Sequence, residues 1–173
     1  MKTGERPCVD DEVPDTVLRD PACPLCNESD TGIDGTVAHT ECLRVVRATD
    51  VAGFPAFYRV VWHEHVREMS DLSPRQRAVC MEVVVAVERV LRQLSPAKIN
   101  VASLGNVVPH LHWHVVARFD WDSHFPDPIW AAPRRSVGAD RLEALASEVA
   151  RLDERVARAV GAAFPPPLRA RTG

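Results

Sequence analysis

The seven residues from His110 to Val116, HLHWHVV, alternate histidine with bulky apolar side chains. Successive side chains of a β-strand point to opposite faces of the sheet, so this period of two places the histidines on one face and their apolar neighbours on the other. The apolar face predicts packing into a core, and the histidine face predicts a surface with a function. The histidines are His110, His112 and His114, and the apolar neighbours are Leu111, Trp113 and Val115.

Strand signals recur along the chain. Residues 36–50 and 55–66 are rich in β-branched and aromatic residues, and the turn-forming DVAGFP separates them, which predicts two strands around a turn. Residues 97–104 and the histidine segment predict two further strands. Together with the helices below, these strands predict an α+β domain.

Two helices are predicted on either side of the histidine segment. Ser73, Pro74 and Gln76 supply an N-cap, a first-turn proline and the second half of a capping box. Apolar residues then follow at helical spacing as far as Ser95. Residues 138–160 predict a second helix whose apolar stripe must be covered by the same domain or by a second subunit.

Length and charge limit the organisation and the partners. A chain of 173 residues suits one domain. We predict a flexible arm over residues 1–20, the main domain over residues 21–135, and a C-terminal helix and tail over residues 136–173 packed on the same domain. The 21 basic and 24 acidic residues give a net charge of −3, which offers no electrostatic argument for binding nucleic acid or an anionic membrane.

The sequence favours a cytoplasmic location. No apolar run approaches the roughly 20 residues that a membrane span needs, and the N-terminal residues lack the order of a signal peptide. The five cysteines are an odd number, and a reducing compartment favours thiols or metal ligands over a disulfide framework.

The histidine face suits chemistry at phosphorus. An imidazole attacks through one nitrogen while the other donates its hydrogen to a fixed acceptor, which sets the tautomer. Neighbouring histidines on the same face can supply donors to phosphate oxygens and an acid for the leaving group. His112 has such a neighbour on both sides. Two alternatives stay open, because H-x-H on a strand also suits two metal ligands and because alternate histidines can be a surface accident.

The segment HLHWHVV resembles the motif that defines the histidine triad (HIT) superfamily. Over about residues 20–120, the Cys23-x-x-Cys26 pair, two strands, HEHVREMSDLSPRQ before the long helix, Gly105-Asn106 and the triad occur in family order. The resemblance implies a HIT-like α+β fold, in which an antiparallel sheet carries a long helix, here with an additional C-terminal helix. It also implies a homodimer.

The resemblance assigns roles to residues. His112 would attack the α-phosphorus of a nucleoside phosphate ester, anhydride or phosphoramidate and form a nucleotidyl-histidine intermediate. His114 would bind phosphate oxygens and help to protonate the leaving group. Nucleotide or phosphate contacts would come from Asn106, where many members have glutamine, from Asn100 on the preceding strand, and from Asp50 at the position of a ribose-binding acid. Asp50 is equally typical of an ordinary turn.

Some HIT proteins hold zinc through C-x-x-C, a histidine before the long helix and the first triad histidine. The matching residues are Cys23, Cys26, His65 and His110. Two thiolates and two imidazoles suit tetrahedral zinc at a structural site, with no open position for water. A shift of one residue in the match would replace His65 with His63, and two free thiols in a turn are the alternative to a zinc site.

The function implied by the resemblance is that of a nucleotidyl hydrolase or transferase with a nucleotide substrate, either a dinucleoside polyphosphate or a nucleoside phosphoramidate. The alternatives are a metal-dependent hydrolase that uses the triad as ligands and a nucleotide-binding regulator with little turnover.

Overall fold

The computed structural model describes residues 19–27 and 35–164. These residues form a five-stranded sheet and two α-helices, besides two short 3-10 turns. The strands are β1 (Thr36–His39), β2 (Leu43–Arg47), β3 (Phe57–Trp62), β4 (Lys98–Ala102) and β5 (His112–Arg118), and the helices are α1 (Pro74–Leu91) and α2 (Ala139–Ala163). The α+β class expected from the sequence, an antiparallel sheet with a long helix and an additional C-terminal helix, is confirmed.

The sheet is antiparallel throughout, with the spatial order β1-β2-β3-β5-β4. It contains one strand more than the sequence indicated, because residues 36–50 form β1 and β2 rather than a single strand. The hydroxyl of Thr40 accepts hydrogen bonds from the backbone N–H groups of Cys42 and Leu43, which closes a tight turn between the two strands.

Both helices begin where their sequence signals place them. At the start of α1, the Gln76 N–H donates to the Ser73 hydroxyl and the Ser73 N–H donates to the Gln76 side chain, so the capping box is present. In α2 the apolar stripe packs against α1 and β1, so the chain covers it by itself. The buried residues of the stripe are Leu145, Val149, Leu152, Val156 and Val160.

The two faces of the sheet are covered differently. On one face, which we call the helix face, α1 and α2 close one continuous apolar core that includes Val60 of β3 and Val115 of β5. On the other face, the histidine face, two small clusters lie apart. One joins the segment of residues 19–27, the Cys loop, to Val46 and Val61. The other joins the segment of residues 119–138, the cover loop, to Phe57 and Val116.

Further expectations from the sequence concern the two ends of the chain, the cysteines and the possibility of a membrane span. Most of the predicted arm over residues 1–20 and the tail beyond residue 164 lie outside the described residues. Among the described residues, Cys23, Cys26 and Cys80 are free cysteines. Neither helix in the described ranges combines the length and hydropathy that crossing a bilayer requires.

Candidate functional site

A cavity of about 640 Å³ opens on the histidine face between the Cys loop and the cover loop. Its volume lies within the range of small-molecule sites in proteins. The predicted surface is thus a covered site, and His110, His112 and His114 are only 1%, 8% and 7% exposed. The polar and aromatic side chains that line the cavity are Asp50, Arg59, Asn106, His112, His114 and Trp130.

His112 is held in one tautomer. Its Nδ1–H donates to the backbone carbonyl of His110 at 2.6 Å, which leaves the lone pair on Nε2. Burial lowers the pKa of His112 below its ordinary value, so the ring is neutral near pH 7. The Ser103 hydroxyl donates to the carbonyl of His112 at 2.9 Å and ties the loop after β4 to β5. His112 therefore presents a fixed, unprotonated nitrogen, which is the form that a nucleophile requires.

His114 lies between His112 and an aromatic wall. Its ring centroid is 4.8 Å from that of His112 and 5.2 Å from that of Trp130, and both contacts are edge-to-face. Burial lowers the pKa of His114 to about 4. Within the described residues, Nδ1 of His114 is buried without a hydrogen-bond partner. Since no acceptor lies beside Nδ1, the proton of the neutral ring belongs on Nε2, where it can serve as a donor to a phosphate oxygen.

Arg59 and Asp50 form an ion pair at the same cavity. Nη2 of Arg59 donates to Oδ2 of Asp50 at 2.9 Å. Burial alone would raise the pKa of Asp50, but the hydrogen bond and the charge of Arg59 outweigh it, and the pKa lies below its usual value. Asp50 is therefore ionised at neutral pH and lies at the cavity, and its predicted contact with ribose stays a prediction. Arg59 was missed, although a lone arginine in the apolar strand FYRVVW was the signal for it.

The cover loop is anchored beneath the cavity by a buried ion pair. Arg118, at the end of β5, is 1% exposed and donates through Nε to Asp122 at 2.8 Å. A second nitrogen of Arg118 donates to the carbonyl of Asp127 at 2.8 Å. These bonds hold the segment that carries Ile129 and Trp130 over the triad strand, which is how the loop reaches His114.

Four predicted metal ligands meet at the other end of the histidine face. The side-chain ligand atoms of Cys23, Cys26, His65 and His110 all lie within 4.8 Å of one another. Nδ1 of His110 is 3.4 Å from the Cys23 sulfur and 3.5 Å from the Cys26 sulfur, and Nδ1 of His65 is 3.4 Å from the Cys26 sulfur. Tetrahedral zinc with ordinary Zn–S and Zn–N bonds separates its ligand atoms by about 3.3–3.8 Å.

The surrounding contacts orient these ligands. Nε2–H of His110 donates to the carbonyl of Trp62 at 2.7 Å, so the unprotonated Nδ1 is directed at the two sulfurs. The backbone N–H of Asp20 donates to the Cys26 sulfur at 3.4 Å. His63 is not in the cluster, because its Nδ1 is 3.1 Å from the carbonyl of Glu41. The cluster is compatible with a structural zinc site, and His65 rather than His63 belongs to it.

The two predicted asparagines are placed differently. Asn106 lines the cavity, next to Gly105, whose φ of +71° the turn requires. Asn100 does not line it: its side-chain oxygen accepts from Arg118 at 2.8 Å, and the residue pairs with Val116 of β5. Its predicted contact with phosphate stays a prediction.

Sequence comparison decides the family. The model of the HIT domain matches residues 31–121, more than half of the chain. The chain belongs to the HIT family. This membership supports a nucleotide-binding or nucleotide-hydrolysing protein of the HIT type. No protein of curated function matches the sequence significantly.

Solved structures similar to this HIT protein share its fold. A histidine triad protein from Bradyrhizobium japonicum is 27% identical, with a TM-score of 0.57 over 72% of this chain and 94% of that one. A hypothetical histidine triad nucleotide-binding protein from Sulfolobus tokodaii is 17% identical, with a TM-score of 0.54 over 80% and 97% of the two chains. A Zn-bound histidine triad family protein from Mycobacterium smegmatis is 21% identical, with a TM-score of 0.50 over 78% and 97%.

Proposed function

We propose that this HIT protein is a nucleotidyl hydrolase or transferase that cleaves at the α-phosphate of dinucleoside polyphosphates or nucleoside phosphoramidates. The observation that carries the proposal is the state of His112. Its Nδ1–H is fixed by the His110 carbonyl at 2.6 Å, its ring is neutral, and it lines a cavity of about 640 Å³. An imidazole in that state is ready to attack phosphorus without a prior loss of a proton.

The reaction would proceed in two displacements. The lone pair on Nε2 of His112 attacks the α-phosphorus, and the bond from phosphorus to the leaving oxygen or nitrogen breaks with its electron pair going to the leaving atom. Water then attacks the nucleotidyl-His112 intermediate and gives a proton to His114, which lost one to the leaving atom; the P–N bond breaks, and its electron pair returns to Nε2. The carbonyl of His110 can stabilise the positive charge that the ring carries in between, because it accepts the Nδ1–H throughout.

The other residues of the cavity would bind the substrate. Nε2–H of His114 would donate to an α-phosphate oxygen, and the negative charge of the bound phosphate would favour a second proton on His114 for the leaving atom. The amide of Asn106 would donate to a phosphate oxygen, and the ionised carboxylate of Asp50 would accept from the ribose hydroxyls. Asn100 is the weakest of the predicted contacts, since Arg118 already engages its amide oxygen.

The experiment that tests the activity is a substrate panel. Adenosine and guanosine phosphoramidates and dinucleoside polyphosphates are incubated with the protein, and the products are resolved by chromatography. Release of nucleoside monophosphate, together with a radiolabelled nucleotide that stays on the protein after acid-free quenching, is the expected result. Tight nucleotide binding with no release from any substrate would contradict the proposal and favour the regulator.

We further propose that zinc occupies the Cys23, Cys26, His65 and His110 cluster and serves the fold. Two thiolates and two imidazoles complete a tetrahedral set, so no position remains for a reacting water. Zinc would tie the Cys loop to the start of the triad strand. Only His110 of the triad reaches this cluster among the described residues, which argues against a metal-dependent hydrolase that uses all three histidines as ligands.

The homodimer and the cytoplasmic location stay predictions. The α2 stripe no longer supports a dimer, because the chain covers it. What does support one is the outer edge of β4, the last strand of the sheet, which no other strand pairs with among the described residues. Sedimentation should give about twice the chain mass of 19.2 kDa at micromolar concentration, and a species at the single-chain mass would contradict the dimer.

A further inference from the structure

Arg59 is the one cationic side chain that lines the cavity within the described residues, since the triad histidines are neutral there. Its position on β3 is specific. Arg59 pairs in register with His114, whereas the residue that pairs with His112 is the apolar Val61. The positive charge of Arg59 therefore lies opposite His114 on the neighbouring strand, and it is close enough to lower the pKa of both His112 and His114.

The guanidinium of Arg59 has donors to spare. It carries five N–H groups, and in the described part of the chain the one hydrogen bond to its side chain is that from Nη2 to Asp50. The group lies over the Phe57 ring at 5.1 Å from its centroid, and the Arg59 side chain is 13% exposed. The remaining N–H groups can thus bind an anion in the cavity without a rearrangement of the strand.

Asp50 does not neutralise this site completely. Its side chain is 53% exposed, and ion pairs in contact with water contribute little free energy. A phosphate group carries charge comparable to that of a carboxylate, and two of its oxygens accept bidentate bonds from guanidinium equally well. A polyphosphate can therefore bind to Arg59 in addition to Asp50, through the N–H groups that the bond to Asp50 does not use.

We propose that Arg59 makes this site select nucleotides with polyphosphate leaving groups over nucleoside phosphoramidates. The inference rests on the proposed function, because it assumes attack by His112 and departure of the leaving group on the His114 side. When an anhydride P–O bond breaks, the electron pair adds negative charge to the departing polyphosphate, and Arg59 binds that charge more tightly in the transition state than in the ground state. When a P–N bond breaks, the nitrogen takes up a proton and leaves as a neutral amine, which gains nothing from a cation.

The experiment compares two substrates that both release adenosine monophosphate, diadenosine tetraphosphate and adenosine 5′-phosphoramidate. The variant is Arg59→Gln, and the measured quantity is kcat/KM for each substrate. We expect Arg59→Gln to lower kcat/KM about 10- to 100-fold for the tetraphosphate, the range of a lost charge-assisted hydrogen bond, and to change that for the phosphoramidate less than about threefold. For each substrate the kcat/KM of the variant is divided by that of the parent, and the two quotients are then compared. The inherent difference in reactivity between the substrates cancels in this comparison.

Three controls accompany the variant. Arg158→Gln removes a positive charge from the exposed side of α2 and should leave both values unchanged. Arg59→Lys keeps the charge and most of the apolar stem, so it should recover part of the tetraphosphate activity even if Arg59→Gln folds poorly. Inorganic triphosphate should inhibit the parent competitively, and Arg59→Gln should raise its inhibition constant about 10-fold or more.

The outcomes separate the two proposals. An equal loss for both substrates, or no loss for either, overturns the selectivity of Arg59 while the nucleotidyl hydrolase stands. A parent protein that cleaves neither substrate overturns the proposed function and this inference with it.

Discussion

The two faces of the sheet differ in what holds them. The helix face is closed by α1 and α2 over one apolar core, where side chains such as Val83 and Val149 are fully buried. The histidine face has only two small apolar clusters, and polar contacts anchor each of them. Arg44 donates to the carbonyl of Leu25 in the Cys loop, and Arg118 binds Asp122 in the cover loop. Packing therefore determines stability on one face, and the other keeps an open cavity between anchored loops.

The largest effect on turnover should come from the substitution His112→Asn on the histidine face. The attacking nitrogen is lost while the fold keeps its helix-face core, so kcat should fall by about 10³-fold or more with little change in melting temperature. The substitution His114→Asn, on the same face, should lower kcat less, because it removes a supporting donor rather than the nucleophile. The measurement is steady-state release of nucleotide beside thermal unfolding, and near-parental turnover by His112→Asn would remove the mechanism.

Removal of the metal ligands should lower the stability of the histidine face first. In Cys23→Ser/Cys26→Ser protein we expect zinc to be absent by elemental analysis, the melting temperature to fall, and turnover of the remaining folded protein to persist. Structural zinc contributes on the order of 10 kcal/mol in small metal-dependent domains, and a chain with its own core should lose less. Parent protein that is metal-free when purified without chelator would disprove the site. Loss of turnover at an unchanged melting temperature would favour metal-dependent chemistry.

A truncation on the helix face should show the opposite pattern. Leu91, at the end of α1, is fully buried, and Leu91→Ala should lower the free energy of unfolding by about 2–5 kcal/mol. Turnover per folded molecule should stay near the parental value, because Leu91 does not line the cavity. Denaturant unfolding and active-site-normalised rates measure the two quantities. A large loss of turnover without a loss of stability would show that the faces are coupled.

The smallest expected effect concerns the support of His112. Ser103→Ala removes the hydrogen bond to the His112 carbonyl, which should lower kcat about 2- to 10-fold, the range of one neutral hydrogen bond. Stability should change little, since Ser103 lies at the surface. Ser147→Ala on α2 also removes a hydroxyl-to-carbonyl bond, and it serves as the matched control. An equal change in kcat for both variants would show that the Ser103 bond does not position His112.

Local signals in the sequence were sufficient for the helices and for most of the triad strand, which begins at His112 rather than at the predicted His110. The capping box at Ser73 and Gln76 depends on residues three apart, and the alternation in HLHWHVV depends on the strand alone. Splitting residues 36–50 into β1 and β2 was not foreseen, because the turn depends on the Thr40 hydroxyl rather than on glycine or proline. The four candidate zinc ligands were identified by their order along the chain, and the structure brings all four together.

By itself the sequence determined which residues share a strand face and which can ligate a metal, because both depend on spacing and side-chain chemistry. Only the tertiary structure decided which of them meet. The antiparallel register of β3 with β5 places Arg59 opposite His114, while the register of β4 places Asn100 beside Val116 and within reach of Arg118. The cover loop then buries a histidine face that alternation alone predicts to be a surface. Strand pairing and loop packing bring together residues that are far apart in the chain, and the local spacing of residues in the sequence does not predict these contacts.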